Sequence, residues 1–274
     1  TGAAGFIGSH LVEELVRAGR DVTIIDDLSN GDTLNLGSIF SQICFLPLDI
    51  SKSLPPRAFP MMERINEIYH LACYQRQISL ANPLRDCQVN LEGTLNVLEL
   101  ARKSGAKVVF TSTGGIISKP TRLPINEDEP PSPLTPYDVH KLASEHFMRV
   151  YSTVHGVRTA TLRFSSVYGP RHRINAAADI HPVIPEFTTH LLKGTAPTIY
   201  GDGKQTRDFL FVKDVVDACI KAMESNVNDG AVIQLGTNTE TSIIGLYQMI
   251  SEIVGVDIPP KYAPRRPEEI LRMR

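Results

Sequence analysis

Three side chains in this sequence have the chemistry to move a proton and hold a reacting oxygen: Thr113, Tyr137 and Lys141. Tyr137 and Lys141 are four positions apart, so on a helix they share one face. A free phenol titrates near pH 10, so a base near pH 7 needs about 4 kcal/mol of preference for the phenolate. A buried ammonium within about 5 Å and the charge of an oxidised nicotinamide could supply it. With Thr113 bonding the reacting oxygen, the set suits hydride removal from a carbinol.

Two predicted elements position these residues. Thr135 is predicted as the N-cap of a helix, Pro136 as its first residue and Asp138 as the acid of a capping box. The run 107–110 predicts a strand, which delivers the hydroxyls of 111–113 to its carboxyl end, where open α/β sheets place their ligands. A hydroxyl-rich turn at a strand end is the alternative interpretation of those hydroxyls.

The first residues predict a turn that holds a dinucleotide. Gly2, Gly5 and Gly8 have G-x-x-G-x-x-G spacing ahead of a predicted helix, whose N-terminus can donate to a pyrophosphate. Asp26 ends a short apolar strand about twenty residues on, where an acid usually binds the adenosine ribose and disfavours the extra phosphate of NADP. The pattern therefore predicts NAD. Close packing of a helix on a sheet is the alternative explanation of the glycines.

Further strands follow at 43–48, which ends at Asp49, and at 67–72, where small Ala72 leaves room for a cofactor. The prolines of Leu54-Pro55-Pro56 and Pro60 mark a connection between them. His70 lies in a buried strand, where a histidine is more often a satisfied structural group than a catalytic one. A helix is predicted from residue 89 up to Gly105.

A Rossmann unit needs a buried apolar strand before its glycine turn, and the sequence begins at the turn. We therefore expect the sequence to be a fragment that lacks the first strand, with the C-terminal residues also stopping in mid-pattern.

Bulk properties fit one sizeable α/β unit or two closely joined domains, since 42% of the 274 residues are hydrophobic. The formal net charge of −2 gives no reason to expect nucleic acid or a membrane as partner. The four cysteines contain no C-x-x-C pair, so neither a disulfide framework nor a metal site is predicted, and the cytoplasm is the expected location. No run of eighteen apolar residues is present.

The glycine turn, Asp26, Asp49, Thr111-Ser112-Thr113 and Tyr137-x-x-x-Lys141 together resemble the extended short-chain dehydrogenase/reductase superfamily, in its NAD-dependent nucleotide-sugar epimerase and dehydratase branch. Residues 162–170 and 201–209 match that branch as well, and the similarity extends over essentially the whole chain. The resemblance implies a Rossmann-type doubly wound parallel sheet. It further implies an NAD-binding domain at 1–163 and a smaller, mainly nucleotide-sugar-binding α/β region at 164–274.

The resemblance also implies roles for individual residues. Those expected to bind the cofactor are Gly2, Gly5, Phe6, Ile7, Gly8, Asp26, Asp27, Asn30, Asp49, Ile50, Leu71, Ala72, Asn90, Thr111, Tyr137, Lys141 and Phe164. Those expected to bind the substrate are Thr113, Ser166, Arg207 and Arg266. An arginine fork suits a pyrophosphate, with surface ion pairing as the alternative for both arginines. Ser166 stands where the family usually has asparagine, which puts one such contact in doubt.

Similar dehydratases carry an aspartate–glutamate pair after the threonine, and similar decarboxylases a nearby glutamate. Here Thr113 is followed by Gly114-Gly115-Ile116-Ile117, so we expect no carboxylate in reach. The resemblance then favours epimerisation at carbon 4 of a UDP-hexose, with retained NAD and a 4-keto intermediate. Another nucleotide-sugar epimerase, a dehydratase, a reductase and a non-catalytic NAD-binding protein are the alternatives. Helices around 82–104 and 136–155 are expected to pair in a homodimer.

Overall fold

Parallel strands built from the apolar runs of the sequence form the centre of the fold. The structure, a computed structural model, describes residues 1–52, 64–227 and 229–274, so the predicted connection at Leu54–Pro60 lies outside the described residues. The strands are β1 (Thr23–Ile25), β2 (Cys44–Leu46), β3 (Glu67–His70), β4 (Lys107–Thr113), β5 (Thr159–Phe164), β6 (Ser166–Tyr168), β7 (Thr198–Tyr200), β8 (Thr206–Arg207), β9 (Phe209–Phe211), β10 (Asp229–Leu235), β11 (Thr241–Ser242) and β12 (Lys261–Ala263).

Helices cover both faces of these strands. The α-helices are α1 (Phe6–Arg17), α2 (Arg76–Ser79), α3 (Pro83–Asp86), α4 (Gly93–Ser104), α5 (Pro136–His155), α6 (Val183–Leu192), α7 (Val212–Glu224) and α8 (Ile243–Val254). Short 3-10 helices lie at Thr33–Gln42, Gly114–Ile116 and Ala176–Ala178.

The main sheet has the parallel order β10-β5-β4-β3, and β1 pairs with β2 in a separate parallel pair. Thr1 and Gly2 join the two sheets, because Thr1 N donates to Tyr69 O (2.8 Å) and Gly2 N donates to Ile25 O (3.0 Å). An apolar groove of about 610 Å³ runs between β1 and β3. In the 3-2-1-4-5-6 order of doubly wound sheets this is the position of the first strand. The expected strand ahead of the glycine turn stays a prediction.

Alternation along β4 divides the core into two layers. Val109 packs with Leu11 of α1 and Val216 of α7 on one face of the sheet. Its neighbour Phe110 packs on the other face with helices α4 and α5, through Leu98 and other buried residues. Successive strand residues point to opposite faces, so one apolar strand anchors helices on both sides. This is the doubly wound α/β arrangement.

Packing contacts cross residue 163, and the predicted division there stays a prediction. Strand β10 pairs with β5 over Ala231–Leu235, and α7 contributes buried Val215 and Cys219 to the layer that holds α1. The chain therefore returns from the second region to complete the first sheet, because β5 would otherwise be an open edge. Helices α6 and α8 pack around buried Ile199 as a separate cluster.

The capping box predicted at the start of α5 is confirmed. Asp138 N donates to Thr135 Oγ1 (3.2 Å), Thr135 N donates to Asp138 Oδ2 (3.1 Å), and Pro136 is the first helical residue. The helix predicted from residue 89 begins instead as a π-helix, Cys87–Glu92, that continues into α4. Such wide turns accommodate an extra residue. Asn90 lies in this turn and its amide bonds to Asp86.

His70 is fully buried and has partners on both ring nitrogens, as the structural interpretation predicts. Nδ1 lies 2.8 Å from Thr1 Oγ1 and Nε2 lies 2.9 Å from Thr94 Oγ1. Burial, assisted by the nearby Lys141 ammonium, holds the pKa of His70 well below its usual range. The imidazole is therefore neutral in the folded protein.

We expect the free energy of unfolding to fall with acid because of this histidine. Below about pH 6.5 the unfolded chain takes up a proton at His70 that the folded chain does not, which costs about 1.4 kcal/mol per pH unit. Urea unfolding at pH 7.5, 6.0 and 5.0 measures the slope, with His70→Gln as the comparison. The variant should be less stable at pH 7.5 but lose stability with acid less steeply. Equal slopes would contradict the assignment.

Candidate active site

The carboxyl ends of β1, β2, β3, β4 and β5 open into a cleft of about 490 Å³, a normal size for a cofactor or small-ligand site. Every residue predicted to bind the cofactor lines this cleft except Asn90. Asn90 is buried behind it, where its amide donates to Tyr74 O (2.8 Å) and accepts from Tyr74 N (2.9 Å). Asn90 therefore links the π-helix to the segment after β3 through two hydrogen bonds.

Backbone approach explains why glycines form one wall of the cleft. Gly2 has a φ of +69°, and a Cβ on it would lie 2.5 Å from Ala72 N. A Cβ on Gly8 would lie 2.2 Å from Gly2 O. Helix α1 begins just after Gly5 with no side-chain cap and no acid in its first turn. Its first N–H groups are therefore suited to the oxygens of a diphosphate.

Carboxylates line the opposite end of the cleft. Asp26 is buried and accepts from Ala4 N (2.8 Å) and Leu28 N (2.9 Å), which fixes it against the glycine turn. Burial alone would raise the pKa of Asp49, but hydrogen bonds from Ser51 and Arg85 outweigh it and lower the pKa. The position suits a carboxylate that stays ionised beside a nucleoside.

Arg85 is a residue of this end that the sequence motifs do not indicate. Its Nη2 lies 2.9 Å from Asp49 Oδ2 and 3.8 Å from Asp27 Oδ2, so it ties two cleft carboxylates together. Arg85 belongs to α3, which has no fixed spacing from the acids that it bonds, so only the folded chain reveals the contact.

The lysine and tyrosine meet at the inner end of the cleft. Lys141 is almost fully buried, and its Nζ donates to Thr111 O (2.8 Å) and lies 5.7 Å from the centre of the Tyr137 ring. Burial lowers the pKa of Lys141. Thr113 lies at the end of β4, where its Oγ1 accepts from Gly115 N (3.0 Å). Tyr137 and Lys141 thus come from the first two turns of α5 and Thr113 from the end of β4, and their catalytic roles stay predictions.

The expected base near pH 7 is not produced by the chain's own groups. Burial, with smaller effects of Cys73, Asp138 and Asp86, raises the pKa of Tyr137 well above its usual range, against the lowering effect of Arg76. Moving a phenolate out of water is costly, and the surroundings of the phenol impose that cost here. A second positive charge beside the phenol is needed to offset it.

A buried carboxylate comes closer to Thr113 than the sequence predicted. A Cβ on Gly115 would lie 3.1 Å from Asp138 Oδ1 and 3.2 Å from Thr113 Oγ1. The expectation of no carboxylate in reach is wrong, because α5 brings Asp138 next to the end of β4. This carboxylate is nevertheless fully used: it closes the capping box and accepts from Arg76 Nε (3.1 Å). It is poorly placed to act as an acid or a base.

The predicted substrate residues lie apart from the lining of the cleft. Ser166 starts β6 and its N donates to Asp208 O (2.9 Å). Arg207 pairs with Glu269 and donates from Nη1 to Ile270 O (2.7 Å). The Arg266 guanidinium stacks 3.9 Å from the centre of the Tyr200 ring. Arg207 is thus joined to the chain segment that carries Arg266.

The segment 170–175 forms a strap across the cleft, and no sequence motif singled it out. Arg171 Nη2 donates to Glu13 Oε2 (2.6 Å), and Arg173 binds Asp32 (3.1 Å) and Asn35. Between them the His172 ring stacks on Phe6 at 4.3 Å. The strap holds α1 and the loop after β1, and residues 171–175 also line the cleft. A ligand in the cleft would therefore lie beneath it.

We expect loss of these ion pairs to speed the release of NAD. Partly exposed pairs contribute about 0.2–1 kcal/mol each, so Arg171→Gln/Arg173→Gln should raise the dissociation rate roughly 2- to 30-fold. Stopped-flow exchange against a fluorescent NAD analogue measures it. Lys221→Gln, which removes an exposed ion pair with Asp217 on α7, is the control. An unchanged release rate in the double variant would contradict the strap.

No helix in the described ranges is long and apolar enough to cross a membrane. Among those same residues, no group of three or more His, Cys, Asp or Glu side chains has a geometry that could hold a metal ion.

A parallel doubly wound sheet, an uncapped glycine turn and a tyrosine beside a buried lysine in the same cleft define a dinucleotide-dependent α/β enzyme. The sequence pattern of the NAD dependent epimerase/dehydratase family matches residues 1–236, and the chain belongs to that family. It is accordingly an NAD-dependent enzyme of the nucleotide-sugar epimerase type, with a Rossmann-type fold.

The chain is similar to characterised and solved proteins over almost its whole length. It is 36% identical to a UDP-glucose 4-epimerase of Mycolicibacterium smegmatis, over all of this chain and 88% of that protein. A Thermus thermophilus UDP-glucose 4-epimerase solved with NAD is 32% identical with a TM-score of 0.86, over 99% of this chain and 88% of that one. A UDP-N-acetylglucosamine 4-epimerase from Methanobrevibacter ruminantium is 31% identical with a TM-score of 0.92, over 99% and 86%.

Proposed function

We propose that this protein interconverts UDP-hexoses of the UDP-glucose and UDP-galactose type by epimerisation at carbon 4, with NAD retained. The observation that supports the proposal is that Tyr137 and Lys141 lie side by side in the lining of a cleft whose residues fit NAD, with Thr113 at the end of β4. The nearby Asp138 carboxylate is held in a capping box and an ion pair. Elimination of water would need a further acid and base that are free to act beside Thr113. Epimerisation needs no such groups beyond Tyr137.

Each residue then has one task. Thr113 Oγ1 forms a hydrogen bond with the oxygen on carbon 4. Tyr137 takes the proton of that hydroxyl as the C–H bond of carbon 4 breaks. Lys141 stabilises the phenolate from within one helical turn and is itself held by Thr111 O. NAD bound in the cleft would supply the hydride acceptor for the first transfer and the donor for the second, and in its oxidised form a second positive charge. Tyr137 returns the proton at the end, and because the sugar recovers both the hydride and the proton, no net oxidation occurs.

The sugar must turn over between the two hydride transfers, and two features support this. Gly115 places no side chain against Thr113, since a Cβ there would lie 3.2 Å from Thr113 Oγ1. Arg207 and Arg266 are proposed to hold the pyrophosphate as a tether while the sugar rotates, since an arginine fork matches phosphate oxygens.

The test is proton NMR of UDP-galactose incubated with the protein without added NAD, following the anomeric signals. Appearance of UDP-glucose supports 4-epimerisation with a retained cofactor. Failure with UDP-galactose, by folded protein that contains NAD, would overturn this choice of sugar and direct the assay to N-acetylated, uronic and dTDP-linked sugars.

We also propose that the protein is a homodimer paired through α4 and α5. Apolar side chains on and beside α5 are exposed: Leu84 (78%), Val139 (49%), Val150 (45%) and Val154 (68%). Val150 and Val154 are one turn apart and form part of an apolar stripe that a partner helix could cover. Sedimentation equilibrium tests this, and Val150→Glu/Val154→Glu should give monomers.

The cytoplasm is the proposed location, because all four cysteines are free.

A further inference from the structure

His172 is the one polar side chain of the strap, segment 170–175, that the folded chain leaves without a hydrogen bond. The strap's other polar side chains all bond to α1 or to the loop after β1: those of Arg171, Arg173 and Asn175. The imidazole of His172 bonds to no residue that the structure describes, although it lines the cleft. A polar group in that position has its hydrogen-bonding capacity left for a ligand.

The imidazole lies at the end of the cleft that the glycine turn forms. Its ring is stacked on the ring of Phe6, with the centroids 4.3 Å apart and 5° between the planes. Phe6 is the first residue of α1, whose uncapped N-terminus is suited to the oxygens of a diphosphate, and it also lines the cleft. His172 therefore borders the part of the cleft that fits the diphosphate of a dinucleotide.

One ring nitrogen of His172 is suited to act as the donor. Nδ1 is buried and has no partner among the described residues, so a proton there would be an enclosed N–H without an acceptor, which is rare in folded proteins. The proton is therefore assigned to Nε2, which is not enclosed in this way. Burial lowers the pKa of His172 to about 4, so the ring is neutral near pH 7. The cleft is thus lined by a neutral imidazole with one N–H donor.

The imidazole is held in place before a ligand binds. His10 Nε2 lies 2.9 Å from Pro170 O, which ties the start of the strap to α1. The ion pairs of Arg171 and Arg173 fix the residues on either side of His172, and the stacking contact fixes the plane of its ring. A donor whose position is set in advance loses little entropy when it binds.

We propose that His172 is a cofactor-binding residue whose Nε2 donates a hydrogen bond to the diphosphate of NAD. The glycine turn offers backbone N–H groups to the diphosphate, and the strap that crosses the cleft adds a side-chain donor. A phosphate oxygen is a charged acceptor, so this bond is of the stronger, charge-assisted kind. Arg171 and Arg173 are occupied by their own carboxylates and act as clamps for the strap.

The test measures how well ADP and adenosine displace a fluorescent NAD analogue from the purified protein. ADP carries a diphosphate and adenosine does not, so the quantity of interest is the affinity for ADP divided by the affinity for adenosine. His172→Phe keeps a ring to stack on Phe6 and removes the donor. It should lower the ratio about 10- to 100-fold, as expected for one hydrogen bond to a charged group. A ratio removes any loss that affects both competitors equally.

Two further variants separate the hydrogen bond from damage to the strap. His172→Gln keeps a donor without the aromatic ring and should retain most of the ratio. His155→Phe changes an exposed histidine at the end of α5, whose ring lies 5.0 Å from that of Tyr151, and should match the wild type.

An unchanged ratio in His172→Phe would overturn the proposal, even if both competitors bound more weakly, because the loss would then come from the packing of the strap. A ratio that falls as far in His172→Gln as in His172→Phe would also overturn it, because a restored donor should restore the contact. Both readouts are binding measurements, so they stand apart from the sugar that the protein turns over. Failure with UDP-galactose leaves the role of His172 open to the same test.

Discussion

Tyr137→Phe should leave NAD bound and lower kcat by a factor of about 100 or more, because it removes only the proposed general base. The phenol lines the cleft beside the buried Lys141, and the substitution deletes one oxygen and keeps the ring, so the fold and the cleft should be preserved. NAD content by absorbance and kcat by NMR measure the two effects separately.

Tyr151→Phe is a matched control for this change. The Tyr151 hydroxyl donates to Glu99 (2.7 Å), away from the cleft, so its loss should cost a little stability and leave kcat unchanged. Near-normal turnover by Tyr137→Phe would show that another group moves the proton. A parallel loss of NAD would show that Tyr137 serves mainly to bind the cofactor.

The largest expected effect on stability is at Arg163. This arginine and Glu145 form a bidentate pair with distances of 3.0 and 2.7 Å, and their side chains are 6% and 4% exposed. Ser112 Oγ also donates to Glu145 (2.6 Å), so the pair joins β4, β5 and α5. Arg163→Met would leave the Glu145 carboxylate buried without its partner, and we expect it to lower the free energy of unfolding by about 3–5 kcal/mol.

The double variant Arg163→Met/Glu145→Gln tests the reason for that loss. It removes the stranded charge, so most of the stability should return, whereas a loss due only to packing would persist or grow. Urea unfolding of the two single variants and the double variant gives the coupling energy. A loss below about 1 kcal/mol for Arg163→Met would match an exposed ion pair and contradict the buried geometry.

Lys141 lies one helical turn before Glu145, so this pair also bears on the reaction centre. The Glu145 carboxylate raises the pKa of Lys141 against the larger lowering effect of burial. Glu145→Gln should therefore lower the pKa of Lys141 further and reduce the fraction of protein with a charged ammonium at high pH. We expect kcat to begin its alkaline decline at a lower pH in this variant than in the wild type.

Several features of this protein follow from short stretches of sequence. The glycine turn needs residues without Cβ within eight positions, the capping box needs four consecutive residues, and the structural state of His70 follows from a buried strand. Each depends on backbone geometry or burial that a local pattern encodes. The tyrosine–lysine spacing likewise fixes a shared helix face, although the catalytic roles of these residues stay predictions.

The tertiary structure alone decided what surrounds those motifs. Asp138 was recognisable as a cap, but its approach to Thr113 and its bond to Arg76, 62 positions away, depend on how α5 and α2 pack at the end of β4. The strap reaches Asp32 from Arg173 across 141 positions. The high pKa of Tyr137 depends on how far packing shields the phenol from water, which a spacing does not reveal. Local patterns specify backbone turns and helix faces, whereas the electric environment of a site is the sum of charges and burial contributed by distant segments, and only packing sets it.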